Sequence, residues 1–215
     1  MREKNSKWII LLLLAIVWGS SFILMKKGMY NGNGGQIFTS TQVGALRMLL
    51  ASLALLPFSI QTMRILVSRK DLGYFAVVGI CGNFIPAFLF TYAETQISSG
   101  LAGIMNSFTP IFTLLVGYLF FSNKINRYQL LGTIIGFCGI TLLVFNQDQT
   151  TTNNQGLLPS LAIVLATFLY GISLNTIKFK LSHYKPIHVA SGGFFMVLVP
   201  SIIGFFSFNT WDVFQ

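Results

Sequence analysis

Seven apolar blocks divide this chain of 215 residues, each close to the roughly 20 residues that a helix needs to cross the hydrocarbon core of a bilayer. They run from Trp8 to Met25, Ile37 to Ile60, Gly73 to Ala93, Gly100 to Phe121, Gln129 to Asn146, Leu157 to Ile177 and Ile187 to Phe208. Lipid offers no water to satisfy backbone N–H and C=O groups, so such blocks form helices or closed barrels. The dyad alternation of barrel strands is missing, which leaves helices. Charge points the same way: 14 Lys plus Arg and 5 Asp plus Glu make 9% of the chain, against about a quarter in a soluble domain. The expected fold class is all-α, a polytopic membrane protein with seven transmembrane helices.

The net charge of +9 does not indicate nucleic-acid binding. That would need a basic face with aromatic platforms, whereas these Lys and Arg residues stand in short clusters between apolar blocks. If the chain alternates across the bilayer, Arg2, Lys4 and Lys7, then Arg64, Arg69 and Lys70, then Lys124 and Arg127, then Lys178, Lys180 and Lys185 share one side, eleven of the fourteen basic residues. Lys26, Lys27, Glu94, Asp148 and Asp212 fall on the other, and Arg47 lies inside the second block. The positive-inside rule then places the amino terminus in the cytoplasm of a cell or inner membrane and the last residue outside. The first block is long for the apolar region of a signal peptide and no small-x-small cleavage site follows it, so it is read as a retained span. Cys81 and Cys138 lie in apolar stretches without paired spacing and are expected to be small core hydrophobes rather than metal ligands or disulfide partners. His183 and His188 flank Pro186 in a basic loop with no acid or cysteine close in sequence, which suits interfacial histidines better than a metal site.

An internal repeat is visible. Trp18-Gly19-Ser20-Ser21 followed by Lys26 recurs as Tyr170-Gly171-Ile172-Ser173 followed by Lys178, and Pro57 near the end of the second block is matched by Pro200 near the end of the seventh. Aromatic, Gly and Ser residues are common in membrane helices, so the match also has a chance explanation. A real repeat unit would be five spans, and an odd number inverts the second copy in the bilayer, an arrangement typical of transporters.

Arg47 is the costliest residue, a cation about 15 Å into its span at the helical rise and worth about 2.5 to 3.5 kcal/mol against insertion. It is either an anchor for a carboxylate or phosphate of a substrate or a structural cation bound to carbonyls of a neighbouring helix. Its repeat counterpart is Ala190. Glu94, in Tyr92-Ala93-Glu94-Thr95, is expected to be a solvated acid at the outer interface. Asn83 with Pro86, and Asn106, Ser107, Thr109 and Pro110, are uncharged groups that could face a shared cavity, since proline frees the carbonyl four residues back and disturbed helices near the midplane bind substrates in transporters. Kinks serving packing alone explain them equally well. Trp18 and Tyr170 should sit well inside their spans and line a cavity. Gly132, Gly136 and Gly139 on the fifth block form a close-packing face.

The blocks Trp18-Gly19-Ser20-Ser21-Phe22, Ala45-Leu46-Arg47, and the stretch from Ser98-Ser99-Gly100-Leu101-Ala102 through Thr109-Pro110 to Gly132, Gly136 and Gly139 resemble the EamA family of the drug/metabolite transporter superfamily. The resemblance implies ten helices in two inverted five-helix repeats, a central cavity and both termini in the cytoplasm. Residues 1–146 would be the first repeat, 147–156 an outer loop and 157–215 the start of a second repeat. Family members commonly have a Glu just after the fourth helix, where this chain has Asn123, so no role for that acid carries over. The implied activity is a permease that moves a small metabolite, an amino acid or related compound, by alternating access. Its expected binding residues are Trp18, Ser21, Arg47, Asn83, Asn106, Thr109 and Tyr170. The expected partners are the lipid bilayer and a small-molecule substrate, with no nucleic acid, no metal and no cofactor. No protease, esterase or P-loop motif is present to suggest an enzyme. The alternative is a truncated or degenerate membrane protein that assembles with others without transporting.

Overall fold

A computed structural model of the chain describes residues 2–31, 35–66, 68–145, 157–210 and 213. Asn146, the expected loop 147–156, Asp148 and Asp212 lie outside the described residues. The elements are α1 (Arg2–Met29), α2 (Ser40–Ala54), α3 (Leu56–Arg64), α4 (Arg69–Gly79), α5 (Ile85–Glu94), α6 (Ser99–Met105), α7 (Thr109–Phe121), α8 (Arg127–Phe145), α9 (Leu157–Lys180) and α10 (Pro186–Ser207). A π-turn at Ile80–Phe84 joins α4 to α5, and a 3-10 turn at Asn106–Phe108 joins α6 to α7. Among the described residues there is no strand, only an isolated bridge between Tyr30 and Gln36.

Among the described residues five stretches are long and apolar enough to cross a membrane: Trp8–Met29, Arg69–Glu94, Ser99–Phe121, Leu157–Lys180 and Pro186–Ser207. The pair α2 and α3, bent by 59°, makes a sixth if counted as one broken span. All three breaks fall beside prolines. Pro57, Pro86 and Pro110 are each the second residue of the helix that follows the break. Their missing N–H groups and ring bulk remove the hydrogen bond that would carry the preceding helix through. Polar side chains set the starts elsewhere. Thr39 caps α2 and Ser68 caps α4, each in a reciprocal box with the third residue of its helix, Gln42 and Asp71, which satisfies donors that a helix start leaves open.

The second half of the chain packs into the first. α9 lies against α5, α7, α4 and both irregular turns, while α10 lies against α2, α3 and α4. Small residues allow this closeness. A Cβ on Gly171 of α9 would stand 2.9 Å from the backbone carbonyl of Phe112 in α7, and Gly79 of α4 meets the carbonyl of Gly193 in α10. Asn175 locks the α7–α9 contact by donating to the carbonyls of Thr113 and of Gly171, both at 2.8 Å. One core cluster joins α5, α6 and α9 through Phe90, Met105 and Ile163, and a second joins α4 to the α9–α10 connection through Phe75, Val78 and Leu181.

Two expectations are corrected here. Gly132, Gly136 and Gly139 have nothing within 4 Å of an added Cβ, so their face packs on no other described element. Cys138, on the same helix, is exposed rather than a core residue, and Cys81 is half-buried. The reason is common to both: among the described residues the main contacts of α8 are a few with α6, α7 and the 3-10 turn, and an apolar sequence does not distinguish a helix face that meets protein from one that meets lipid.

Candidate functional site

The bundle has two chemically distinct ends. At the basic end, α3 finishes in Arg64, α4 begins at Arg69 and Lys70, and α9 finishes near Lys178 and Lys180. Asp71 is the hub: its Oδ2 accepts from the Ser68 N–H at 3.1 Å and the Tyr184 hydroxyl at 2.7 Å, and faces His183 Nε2 at 3.7 Å. A buried network ties α3 to α10. The Thr62 hydroxyl lies 3.0 Å from His188 Nδ1 and 2.8 Å from the Ser191 hydroxyl, and the Ser59 hydroxyl donates to the Ser191 carbonyl at 2.8 Å. The histidines are therefore fold residues with tertiary partners. Asp71 reaches His183 across more than a hundred residues of sequence, and His188 is buried. Among the described residues no group of three or more His, Cys, Asp or Glu could hold a metal ion.

The far end contains the charges that the fold leaves least satisfied. Arg47 is half-buried on α2, and its guanidinium donates to the thioether of Met25 on α1, a weak acceptor for a group with five donors. The charges of Glu94 and the ring of Tyr170 face it. Tyr170 stacks on Phe90 of α5 with ring centroids 6.1 Å apart, so α1, α2, α5 and α9 all reach this region. Lys26 bridges from α1 to the α5–α6 connection, its ammonium donating to the Ile97 carbonyl at 2.9 Å. It also borders a surface hollow of about 470 Å³ with Lys27, Tyr30 and Asn31.

Glu94 is the residue that sequence reasoning placed wrongly. Instead of a solvated interfacial acid it is 0% exposed, with the Ser99 hydroxyl as its neighbouring donor and the charges of Lys26 and Arg47 acting on it. A signal for this is present in the chain. Ala87, Phe90, Thr91 and Glu94 follow the i, i+3, i+4, i+7 spacing of a single helix face, and all four are buried.

Of the seven expected binding residues, Arg47 and Tyr170 are brought together. Asn83 lies in the π-turn and donates to the Val78 carbonyl at 3.3 Å. Asn106, in the 3-10 turn, accepts from the Thr109 hydroxyl at 3.2 Å. These three polar side chains thus bond locally, at turns that both rest against α9. Ser21 is half-buried on α1. Trp18 is 64% exposed.

Comparison with known proteins bears on what such an arrangement is for. The chain is 28% identical over 169 residues to the uncharacterized transporter YdfC of Bacillus subtilis, covering 78% of this chain and 52% of that protein. It is 26% identical over 194 residues to an uncharacterized transporter of Archaeoglobus fulgidus, covering 90% and 65%. It is 25% identical over 199 residues to a probable amino-acid metabolite efflux pump of Escherichia coli, covering 92% and 62%. The chain thus spans between about half and two thirds of the length of these relatives. No solved structure matches it. The EamA-like transporter family matches residues 6–145, most of the described chain and every helix from α1 to α8. With its apolar, lipid-length helices, the chain is a multi-pass membrane protein and belongs to the EamA-like transporter family.

Proposed function

We propose that this chain belongs to an alternating-access permease that moves a small metabolite, an amino acid or related compound, across the plasma membrane. The basic end faces the cytoplasm, as does the amino terminus, because Lys and Arg clusters resist translocation. α8 is a further span, and the functional unit is ten spans in two inverted repeats, 1–146 being the first and 157–215 the opening of the second. The exposed side of α1 fits this reading. In the second repeat α9, the counterpart of α1, is seated through Gly171 on α7, whereas Gly19, the counterpart of Gly171, meets nothing within 4 Å. Symmetry assigns that empty seat, and the cover of Trp18 beside it, to the fourth span of the second repeat.

The reading is carried by Arg47. A cation placed midway along an apolar span, with a thioether as its hydrogen-bond partner and an aromatic hydroxyl and a carboxylate in electrostatic range, suits an incoming anionic group better than a structural role. A structural arginine would be saturated by carbonyls. Tyr170 lies beside it, and Ser21, Asn83, Asn106 and Thr109 are the uncharged polar groups proposed to complete the lining.

The test is Arg47→Ala in the full-length protein, with uptake into inverted vesicles measured beside membrane abundance. Transport is expected to fall by about 100-fold or more, since losing a charge-assisted anchor costs about 3 kcal/mol, while abundance stays near that of the parent. A parallel fall in abundance would instead mark Arg47 as a structural cation.

A further inference from the structure

The outer face of α4, at the basic end, carries a pattern that transport of a cargo does not use. Lys70, Gly73, Tyr74 and Val77 follow the i, i+3, i+4, i+7 spacing of one helix face, opposite the face that buries Asp71, Phe75 and Val78. Lys70 and Gly73 are exposed, Tyr74 and Val77 are half-buried, and Ile80, where the π-turn begins, is 40% exposed. A Cβ on Gly73 would meet nothing within 4 Å, so the face has a recess one side chain deep between Lys70 and Val77. α9 brings a second cation to the same place: the Lys180 ammonium stands 6.0 Å from the centroid of the Tyr74 ring. Side chains on a helix lean toward its N-terminus, which sets the Tyr74 ring over the turn that carries Lys70. Two lysines, one from each helix, thus share one phenol ring.

Neither ammonium enters an ion pair among the described residues. Asp71, the acid nearest in sequence, is turned inward and buried, its Oδ2 already taking the Ser68 N–H at 3.1 Å and the Tyr184 hydroxyl at 2.7 Å. The two cations are therefore open to an anion from outside the chain. What that anion is attached to follows from the rest of the face. From Lys70 to Ile80 the helix rises about 15 Å, enough to run from the headgroup layer into the hydrocarbon. A soluble anion or an acidic protein segment would cover the lysines and leave the recess and the apolar residues beyond it unfilled. A phospholipid covers both, with its phosphate on the ammonium groups and an acyl chain along Gly73, Val77 and Ile80.

We propose that this α4–α9 face is a binding site for an anionic phospholipid of the leaflet at the basic end. Lys70 and Lys180 hold the phosphate, the Tyr74 hydroxyl sits at headgroup level, and one acyl chain lies in the Gly73 recess. A lysine near an anionic membrane surface is worth about fivefold in affinity, so the pair supplies a preference of roughly 20- to 30-fold for a lipid with net negative charge over a zwitterionic one. The recess separates such a site from the general attraction between a basic surface and a membrane, because it makes retention depend on an uncharged residue. The site is independent of the cargo and of the direction in which it moves.

The experiment places the full-length protein in nanodiscs of phosphatidylcholine and phosphatidylglycerol in equal amounts and reads by native mass spectrometry which lipid stays bound on release. Phosphatidylglycerol is expected to be retained about 20-fold or more over phosphatidylcholine. Lys70→Gln together with Lys180→Gln should remove most of that preference. Gly73→Leu, which fills the recess and changes no charge, should lower phosphatidylglycerol retention by about tenfold. Arg64→Gln together with Lys178→Gln, the same loss of charge elsewhere on the basic end, should leave both lipids near their parental levels. All five substituted residues are exposed. Parental retention in the Lys70 and Lys180 pair or in Gly73→Leu, or an equal loss in the Arg64 and Lys178 pair, would overturn the site and leave only a generally basic surface. Glycerol 3-phosphate displacing the lipid at equal concentration would overturn it as well, since the acyl chain would then contribute nothing. If the variants do not accumulate, the parent decides alone, equal retention of the two lipids being the refuting result. No readout here uses transport, so failure of the lipid site and failure of the permease reading are separate outcomes.

Discussion

Substituting Gly171 by alanine tests the packing that seats α9 in the bundle. The new Cβ would stand 2.9 Å from both the carbonyl carbon and the carbonyl oxygen of Phe112 and 3.1 Å from the Thr113 nitrogen. Unstrained carbon contacts lie near 3.5 to 4.0 Å, so the helices must separate by roughly half an ångström or more. The obstructing atoms are backbone and have no rotamer by which to yield. Overpacking of this kind costs about 1 to 3 kcal/mol. The separation also stretches the bond from Asn175 to the Thr113 carbonyl at 2.8 Å, one of the contacts that fix the register of α7 on α9, worth about 1 kcal/mol net. Against this, alanine gains about 1 kcal/mol of intrinsic helix propensity over glycine. The balance is a loss of about 1 to 3 kcal/mol, a factor of 5 or more in the folded-to-unfolded ratio. Reversible unfolding of the full-length protein in mixed micelles, followed by the circular dichroism of its helices, measures it. A variant as stable as the parent, or more stable by the propensity term alone, would show that α7 and α9 do not approach at Gly171 as described.

Tyr184→Phe removes the 2.7 Å donor to Asp71 without changing the shape of the core around Phe75; a loss of about 1 to 2 kcal/mol is expected in the same unfolding assay, and no loss would mean that Ser68 and His183 alone satisfy the carboxylate. Gly19→Ala, which in this chain meets open space, should destabilise the full-length protein much as Gly171→Ala does if the second repeat seats a helix there. A neutral or slightly stabilised variant would count against the inverted repeat.

What could be read from the sequence depended on which property each residue's role required. Helix positions follow from hydropathy and proline alone, which is why the blocks beginning near Gly73, Gly100 and Leu157 coincide with spans to within a few residues, and why the irregular turns at Ile80–Phe84 and Asn106–Phe108 precede Pro86 and Pro110. Burial within a lipid-facing bundle is another matter. Gly136, Cys138 and Gly171 all sit in similar apolar company along the chain, but only Gly171 meets another helix closely. That difference depends on which helices are neighbours, a long-range fact that composition does not carry. Glu94 was misjudged for a related reason: its place at the end of a block suggested solvent, but the connection of α5 to α6 and the far end of α1 fold over it, with Lys26 on the Ile97 carbonyl.

The two ends of the bundle also differ in where free energy remains to be gained. At the basic end Ser59, Thr62, His188 and Ser191 satisfy one another across α3 and α10, so opening there would break about three neutral hydrogen bonds worth about 0.5 to 1.5 kcal/mol each. At the far end Arg47 bears the cost of partial burial with only a thioether as its hydrogen-bond partner. A ligand shifts a conformational equilibrium only by the difference in its affinity for the two states. A cargo anion that pairs Arg47 would gain on the order of 2 to 5 kcal/mol, comparable to those hydrogen bonds taken together. For a permease of the kind proposed, an anion bound at Arg47 therefore supplies free energy of the same order as the side-chain hydrogen bonds between α3 and α10, and a cargo without an anionic group supplies none of it.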